Sequence, residues 1–355
     1  MKVKQKNVTA AKENDNKQNK CQEYPYIRDG YGRAITSLRL SVNRECNLAC
    51  FYCHKEGMQV EKRNMTVVEI ERLVKVASRL GISKVKLTGG ELLLRSDIVE
   101  IVQRISPLVN EISLTTNATK LAPLAKPLKA AGLDRANISL HTINRETYMK
   151  ICGADYLDSA LAGLKAAITA DLQPIKVNMV LLKGINDHEL PEMLRFAAEK
   201  GVILQIIEFV TDKERINNEL YLRHHQALNK LRKQFLKIGK IIGANPLHNR
   251  DKFLLESLPD GNKLEKPVMV ELVMPMHNSV FCSHCTRIRL TAGGYVKGCL
   301  FNKNNVIDVL EPLRQGADDQ KLEELLKEVI RNRKPYWTID EQSIEIKGEI
   351  RGDVN

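Results

Sequence analysis

Six of the eight cysteines stand in two groups of three: Cys46, Cys50 and Cys53 in CNLACFYC, and Cys282, Cys285 and Cys299 in CSHCTRIRLTAGGYVKGC. Thiolate is the soft ligand of iron–sulfur clusters, and cysteines at i, i+4 and i+7 in a loop can wrap three irons of a [4Fe–4S] cluster. The fourth iron then keeps an open coordination position, which a reactive metal centre needs. The second triad, Cys-x2-Cys-x13-Cys, again stops one thiolate short. A zinc site is the alternative for each, completed by His54 or Cys21 in the first case and by His277 or His284 in the second. His54, directly beside Cys53, has poor geometry for the same ion. Spacing alone leaves the second triad open between zinc and iron; two three-thiolate sites in one chain make a pair of clusters the simpler account. Cys152, in KICGAD, reads as a small half-buried residue.

Basic residues on short apolar runs form the second set. Alternation puts Arg39 and Ser41 of SLRLSV on one face and Leu38 and Leu40 on the other. Lys84 and Lys86 share a face of KVKLT, as do Arg287 and Arg289 of RIRL. Cations pointing inward from several strands are costly unless an anion neutralises them, and a polyphosphate would do so. Taken singly, each is more commonly a solvated surface charge, Lys84 in particular.

These residues need a scaffold, and the chain alternates strand-like and helix-like runs from about residue 36. Expected strands are 37–42, 84–90, 111–116, 135–140, 175–182 and 203–209. Expected helices are 65–81, 96–105, 121–132, 156–170 and 188–201. Thr66 reads as an N-cap and Gly81 as a stop for the first helix. Six βα units imply a parallel sheet covered by helices, an open partial (βα)6 barrel rather than a closed eightfold one. Cys46, Gly89-Gly90-Glu91, Thr115-Thr116-Asn117 and Ser139 all fall at C-terminal strand ends, where such folds build their sites.

After residue 210 the rhythm breaks. Residues 211–267 are polar and lysine-rich with helical stretches, 268–274 suits a strand, 287–301 a hairpin turning at Gly293-Gly294, and 321–332 an amphipathic helix. The expected division is a basic flexible arm over 1–30, a partial barrel over 31–245 and a smaller α+β domain over 246–355 carrying the second cluster.

The chain has 355 residues and a net charge of +12. Residues 1–20 hold six lysines against Glu13 and Asp15, and without arginine or an amphipathic pattern they do not read as a transit peptide. The remaining charge suits an anionic ligand. No apolar run reaches a membrane-span length and no apolar segment follows the start, so the expectation is a soluble, cytoplasmic protein. In that setting clustered cysteines read as metal sites rather than disulfides.

CxxxCxxC after the first strand and GGE after the second resemble the radical S-adenosylmethionine (SAM) superfamily. The resemblance implies that SAM chelates the open iron and is cleaved to a 5′-deoxyadenosyl radical, with Tyr52 near the adenine, Gly89, Gly90 and Glu91 at the SAM amino group, and Ser139 at another part of SAM. The glycines would let a ligand rest on the strand end.

With the second triad, residues 31 to 337 resemble the GTP 3′,8-cyclases of molybdenum cofactor biosynthesis, and FYCHKEG, VLLKGIND and PMHNSVFCSHCTRIRL resemble the archaeal members. The resemblance implies two [4Fe–4S] clusters, guanine bound at the second cluster, and a triphosphate held by Arg39, Lys86, Lys176, Arg287 and Arg289, with Thr115 and Ile288 as further contacts. It implies a lyase in which the first triad, Arg287 and Arg289 are catalytic. The radical abstracts the ribose 3′ hydrogen of GTP, and C3′ attacks C8 to give (8S)-3′,8-cyclo-7,8-dihydroguanosine 5′-triphosphate. Implied partners are flavodoxin or ferredoxin as electron donor, a downstream enzyme forming cyclic pyranopterin, and a second copy in a homodimer.

The sequence departs from that pattern in four places. Leu92 follows GGE where many members carry proline, Gln205 stands where an arginine is usual, and His141 replaces a common aspartate. The chain ends EIKGEIRGDVN rather than in Gly-Gly, with Arg351 a candidate substitute. Two other readings remain: a two-cluster relative acting on another nucleotide or a peptide, and a zinc-bearing nucleic-acid-binding protein. Aromatics at 5% that do not interleave with a basic stripe argue against nucleic acid.

Overall fold

The computed structural model describes residues 25–57 and 63–338. Cys21, Arg351 and the end of the chain lie outside the described residues, as does most of the expected N-terminal arm.

The expected six βα units are present. They run β1 (Ser37–Ser41), α1 (Val67–Arg79), β2 (Lys84–Thr88), α2 (Ile98–Ile105), β3 (Glu111–Thr116), α3 (Leu121–Ala130) and β4 (Arg135–Ser139). There follow α4 (Arg145–Cys152), α5 (Leu157–Thr169), β5 (Lys176–Leu181), α6 (Leu190–Lys200) and β6 (Ile203–Glu208). Helix α4 was not expected from the pattern. The first helix starts and stops as its sequence dictates. Thr66 accepts from the Glu69 amide while the Glu69 carboxylate accepts from the Thr66 amide, closing a capping box. At the other end Gly81 turns at φ +81°. Ile70, Leu73, Val74 and Ala77 face inward from α1, and all six residues of β5 are buried, as suits a strand covered on both faces.

The remainder is α7 (Glu219–His224), α8 (Asn229–Ile238), β7 (Gly239–Asn245), β8 (Arg250–Ser257), β9 (Lys263–Val273), α9 (Ser279–Ser283), β10 (Arg287–Leu290), β11 (Tyr295–Lys297), β12 (Val306–Asp308), α10 (Leu310–Arg314) and α11 (Asp319–Arg331). The hairpin at Gly293-Gly294 is β10–β11. Residues 239–257, read as part of a polar helical stretch, instead form an antiparallel strand pair. Most of β7 is exposed at the sheet edge, so it carries no inside–outside alternation to read.

The strand order is β12-β11-β10-β1-β2-β3-β4-β5-β6-β9-β8-β7. The C-terminal segment thus flanks the six barrel strands on both sides. Strand β10 lies parallel to β1, with Arg289 beside Arg39, and β9 lies parallel to β6, with Glu271 beside Gln205. Apolar residues from the helices and outer strand faces make one continuous core. Among the described residues no helix is long and apolar enough to cross a membrane.

Candidate functional site

The first cysteine loop is braced by the glycines after β2. A β-carbon on Gly89 would come within 2.2 Å of Asn43 Oδ1, and one on Gly90 within 2.2 Å of the Glu45 carbonyl oxygen. The backbone leading into Cys46 lies directly on these positions, a constraint on any side chain there in addition to the ligand access the sequence suggested. The Gly90 amide donates to the Asn43 carbonyl at 3.1 Å and the Glu91 amide to the Glu45 carbonyl at 2.7 Å. Glu91 has a bracing role of its own. Its carboxylate is buried and accepts from the Thr116 hydroxyl (2.6 Å), the Asn117 amide (2.7 Å) and the Leu93 amide (3.0 Å). It ties the end of β2 to the end of β3, which are neighbouring parallel strands. Leu92, the residue in the usual proline position, is fully buried in the core.

Backbone amides point at the sulfurs of this loop: Leu48 N–H at Cys46 Sγ (3.5 Å) and Lys55 N–H at Cys53 Sγ (3.4 Å). Burial raises the thiol pKa of both Cys46 and Cys53, while a hydrogen bond from Cys152 lowers that of Cys50. Cys152 is therefore more than a small buried residue. It sits at the end of α4 against the loop, and its carbonyl also accepts from the Ala49 amide at 2.9 Å.

Tyr52 is oriented by His141, two residues beyond the end of β4. Their rings meet edge-on at 4.9 Å, and the phenol oxygen is hydrogen-bonded to His141 Nε2. The other ring nitrogen accepts from the Val180 amide at 3.0 Å, so the neutral ring carries its proton on Nε2. Burial pushes the histidine pKa down to about 4, which keeps the ring neutral at pH 7. Ser139 ends β4 beside Asn178 of β5, half-buried.

The second triad is anchored by buried charge. Arg333 donates to Asp29 (2.8 Å), to the Gly298 carbonyl (2.9 Å), and to both the carbonyl and Sγ of Cys285 (3.1 and 3.4 Å). Arg33 pairs with the same aspartate at 2.7 Å and donates to the Cys282 carbonyl at 2.8 Å. The Trp337 amide points at Cys282 Sγ at 3.5 Å. Burial works against the Cys285 thiolate, but the Arg333 and Arg287 guanidiniums outweigh it and pull the thiol below its ordinary pKa. Amide and guanidinium donors aimed at thiols, in two three-cysteine sets, fit groups held through sulfur. Among the described residues no three His, Cys, Asp or Glu side chains gather closely enough to hold a single metal ion.

All three second-triad cysteines line a cavity of about 530 Å³, together with Arg39, Lys86, Thr115, Lys176, Arg287 and Arg289. Parallel, in-register pairing explains the gathering. Arg289, Arg39, Lys86 and Ser113 occupy successive positions in one row across β10, β1, β2 and β3, and side chains in one row share a face. Ile288 is the exception among the expected contacts. Alternation turns its side chain into the apolar core, where it is fully buried, so a contact from this position would have to come from its backbone.

Much of the positive charge is answered by carboxylates the sequence did not reveal. Arg39 and Arg289 hold Glu56. Lys176 pairs with Glu271, which also accepts from Gln205 (2.8 Å) and lies 3.5 Å from Arg250. Arg135 pairs with Glu111, which also lies 4.0 Å from the largely exposed Lys84. Arg250 and Arg135 both line the cavity and were missed, because neither stands in a motif or an anticipated inward row. Among the described residues Lys86 and Arg287 have no carboxylate in ion-pair contact. Burial and the facing Arg135, Arg287 and Arg39 hold the Lys86 pKa well down. Burial also depresses Arg287, whose Nε is buried without a hydrogen-bond partner, as is the Trp337 indole N–H on the same cavity wall.

A second cavity, of about 970 Å³, opens beside Tyr52, Cys53 and Lys55. His54, Val210, Leu300 and Phe301 line both cavities, so the first cysteine loop and the second triad face adjoining spaces.

A parallel barrel with a three-cysteine loop after its first strand and a glycine pair after its second is the architecture of a radical SAM protein. Residues 40–197 match the Radical SAM superfamily, and residues 202–339 match Molybdenum Cofactor Synthesis C. The chain is 49% identical over 310 residues to a probable GTP 3′,8-cyclase of Pyrococcus abyssi, covering 87% of this chain and 99% of that one. It is 44% identical to one of Thermococcus kodakarensis (88% and 99% covered) and 42% identical to one of Methanocaldococcus jannaschii (88% and 100%). Among solved structures, Streptococcus suis SuiB bound to precursor peptide SuiA shares the fold, with a TM-score of 0.57 at 15% identity over 86% of this chain and 67% of that one. The chain belongs to the GTP 3′,8-cyclase family of the radical SAM superfamily, and with that membership go a four-iron cluster and SAM.

Proposed function

We propose that this chain is a GTP 3′,8-cyclase, converting GTP to (8S)-3′,8-cyclo-7,8-dihydroguanosine 5′-triphosphate. The observation that carries the reading is the single cavity in which a row of barrel cations meets the second cysteine triad. A nucleoside triphosphate has the two ends this cavity asks for: a polyanion for Arg39, Lys86, Lys176, Arg287 and Arg289, and a nitrogen-rich base for a metal held by Cys282, Cys285 and Cys299. Thr115 lies on the same wall.

Cys46, Cys50 and Cys53 would hold the first four-iron cluster and Cys282, Cys285 and Cys299 a second, each with one iron free of protein ligands. Tyr52, Gly89, Gly90 and Ser139 would hold SAM beside the first cluster, which when bound would supply one-electron reduction of a sulfonium and so the capacity for hydrogen abstraction. The protein's part is positional. Arginine forks fix the triphosphate and so place the ribose, Tyr52 is locked by His141, and the barrel walls keep other hydrogen donors away. A low-potential one-electron donor such as flavodoxin or ferredoxin and an enzyme consuming the cyclised triphosphate complete the proposed partners.

The test is an anaerobic iron and sulfide count followed by turnover. About eight irons per chain are expected for two four-iron clusters. Reduced protein with SAM should consume GTP and no other nucleoside triphosphate. Consumption of another triphosphate but not GTP would transfer the reading to a paralogous activity, and a colourless zinc protein would end it.

A further inference from the structure

Two of the cations assigned to the phosphates already hold an anion. Arg39 donates through Nε to Glu56 Oε2 at 2.8 Å and through Nη2 to Oε1. Arg289 Nη1 donates to Oε2 at 2.7 Å, and the Thr88 hydroxyl to Oε1 at 3.2 Å. The carboxylate is thus gripped from β10, β1 and β2 at once, in the geometry that such guanidinium forks offer carboxylate and phosphate alike. Glu56 belongs to none of these strands. It stands three residues beyond Cys53 in the first cysteine loop, and both it and Lys55 have positive φ (53° and 48°). That backbone is disfavoured for residues with side chains and persists where the surroundings enforce it. The grip on Glu56 is such an enforcement.

We propose that Glu56 is an internal stand-in for the substrate's polyphosphate, displaced from Arg39 and Arg289 when that polyphosphate binds. The inference rests on the triphosphate reading above. Lys86 and Arg287, the neighbouring cations with no carboxylate in ion-pair contact among the described residues, can receive one phosphate group while Glu56 stays in place. A longer polyphosphate extends along the row to Arg39 and Arg289, and two like-charged groups do not share one water-poor cationic pocket cheaply. Glu56 thereby makes the site discriminate by ligand charge. Because Cys53, His54, Lys55 and Glu56 are consecutive, its release also changes the loop that carries the first cysteine triad. Occupancy of the substrate cavity is reported to the first cluster through four residues of chain.

The experiment uses reconstituted two-cluster protein, wild type and Glu56→Gln, titrated calorimetrically with inorganic tripolyphosphate and with inorganic phosphate. Removing the competing charge should tighten tripolyphosphate about tenfold and change phosphate less than about twofold. The electron paramagnetic resonance signal of the reduced, SAM-bound first cluster should respond to tripolyphosphate in the wild type. Glu56→Asp, which keeps the charge on a shorter reach, should fall between wild type and Glu56→Gln and guards against a variant that loses its fold. Equal or weaker tripolyphosphate binding in both variants would overturn the proposal, as would a wild-type first-cluster signal indifferent to tripolyphosphate. A wild type that binds neither tripolyphosphate nor GTP would instead overturn the triphosphate site beneath it.

Discussion

Gly90 lies so close to Glu45 that a β-carbon there would stand 2.2 Å from its carbonyl oxygen. Backbone, unlike the end of a long side chain, cannot swing aside. Gly90→Ala is therefore expected to push the 43–46 segment off the end of β2, at a cost of about 1–3 kcal/mol in stability. The first triad should lose its iron while the second keeps it, so the count should fall from about eight to about four per chain. An iron assay on the anaerobically reconstituted variant checks this; full iron at both sites would contradict it.

Asp29 joins the first described segment to the last. Its carboxylate is fully buried between Arg33 and Arg333, which in turn hold the carbonyls of Cys282 and Cys285. Asp29→Asn leaves two buried guanidiniums without their counter-charge, and losing one partner of such a group costs about 3–5 kcal/mol. A lowered thermal midpoint should come with loss of the iron proposed at the second triad, the reverse of the Gly90→Ala pattern. A stable variant with both clusters intact would show that the aspartate is dispensable.

How much of this was legible in the sequence follows from the range of each interaction. The barrel units were readable because helix and strand periodicity is local, and so was the capping box at Thr66 and Glu69. Alternation alone put Arg287 and Arg289 on one face. Pairing was not readable: β10 joins β1 across some 250 intervening positions, and nothing in RIRL names SLRLS as its neighbour. The same limit hid the counter-ions. Glu56, Glu111 and Glu271 look like ordinary acidic residues until the fold puts them against Arg39, Arg135 and Lys176. It also hid the crowding at Gly89 and Gly90, which comes from a segment more than forty residues away.

His141 gives Tyr52 its orientation, so the proposed SAM site should feel its removal without losing metal. One net hydrogen bond is worth about 1 kcal/mol. His141→Ala and Tyr52→Phe should each weaken SAM binding by roughly fivefold, a factor of that size, with iron content unchanged. Equilibrium binding of SAM to each variant measures it. An additive loss in the double variant would show that the two residues act independently and would remove the pair from the site.

Lys176 should make the proposed anion binding depend on pH. Burial lowers its pKa, Glu271 opposes the shift and Arg250 adds to it, and the result is about 8. The lysine is therefore mostly charged at pH 7 and loses its proton through pH 8. A bound polyphosphate favours the charged form and raises the pKa, so affinity for tripolyphosphate should fall as pH rises from 7 to about 9.5, by up to about tenfold per pH unit above the free pKa. Binding near pH 8.5 should take up protons, visible as a dependence of calorimetric heat on buffer ionisation. The stability of the ligand-free protein should move the other way. The folded pKa of about 8 lies below the roughly 10.4 of an unfolded lysine. Between those values the unfolded chain binds more protons, and this residue's contribution to stability rises with pH. Lys176→Met should remove both trends, with weak tripolyphosphate binding already at pH 7. If the variant keeps the wild-type pH profile, the titrating group lies elsewhere in the cavity.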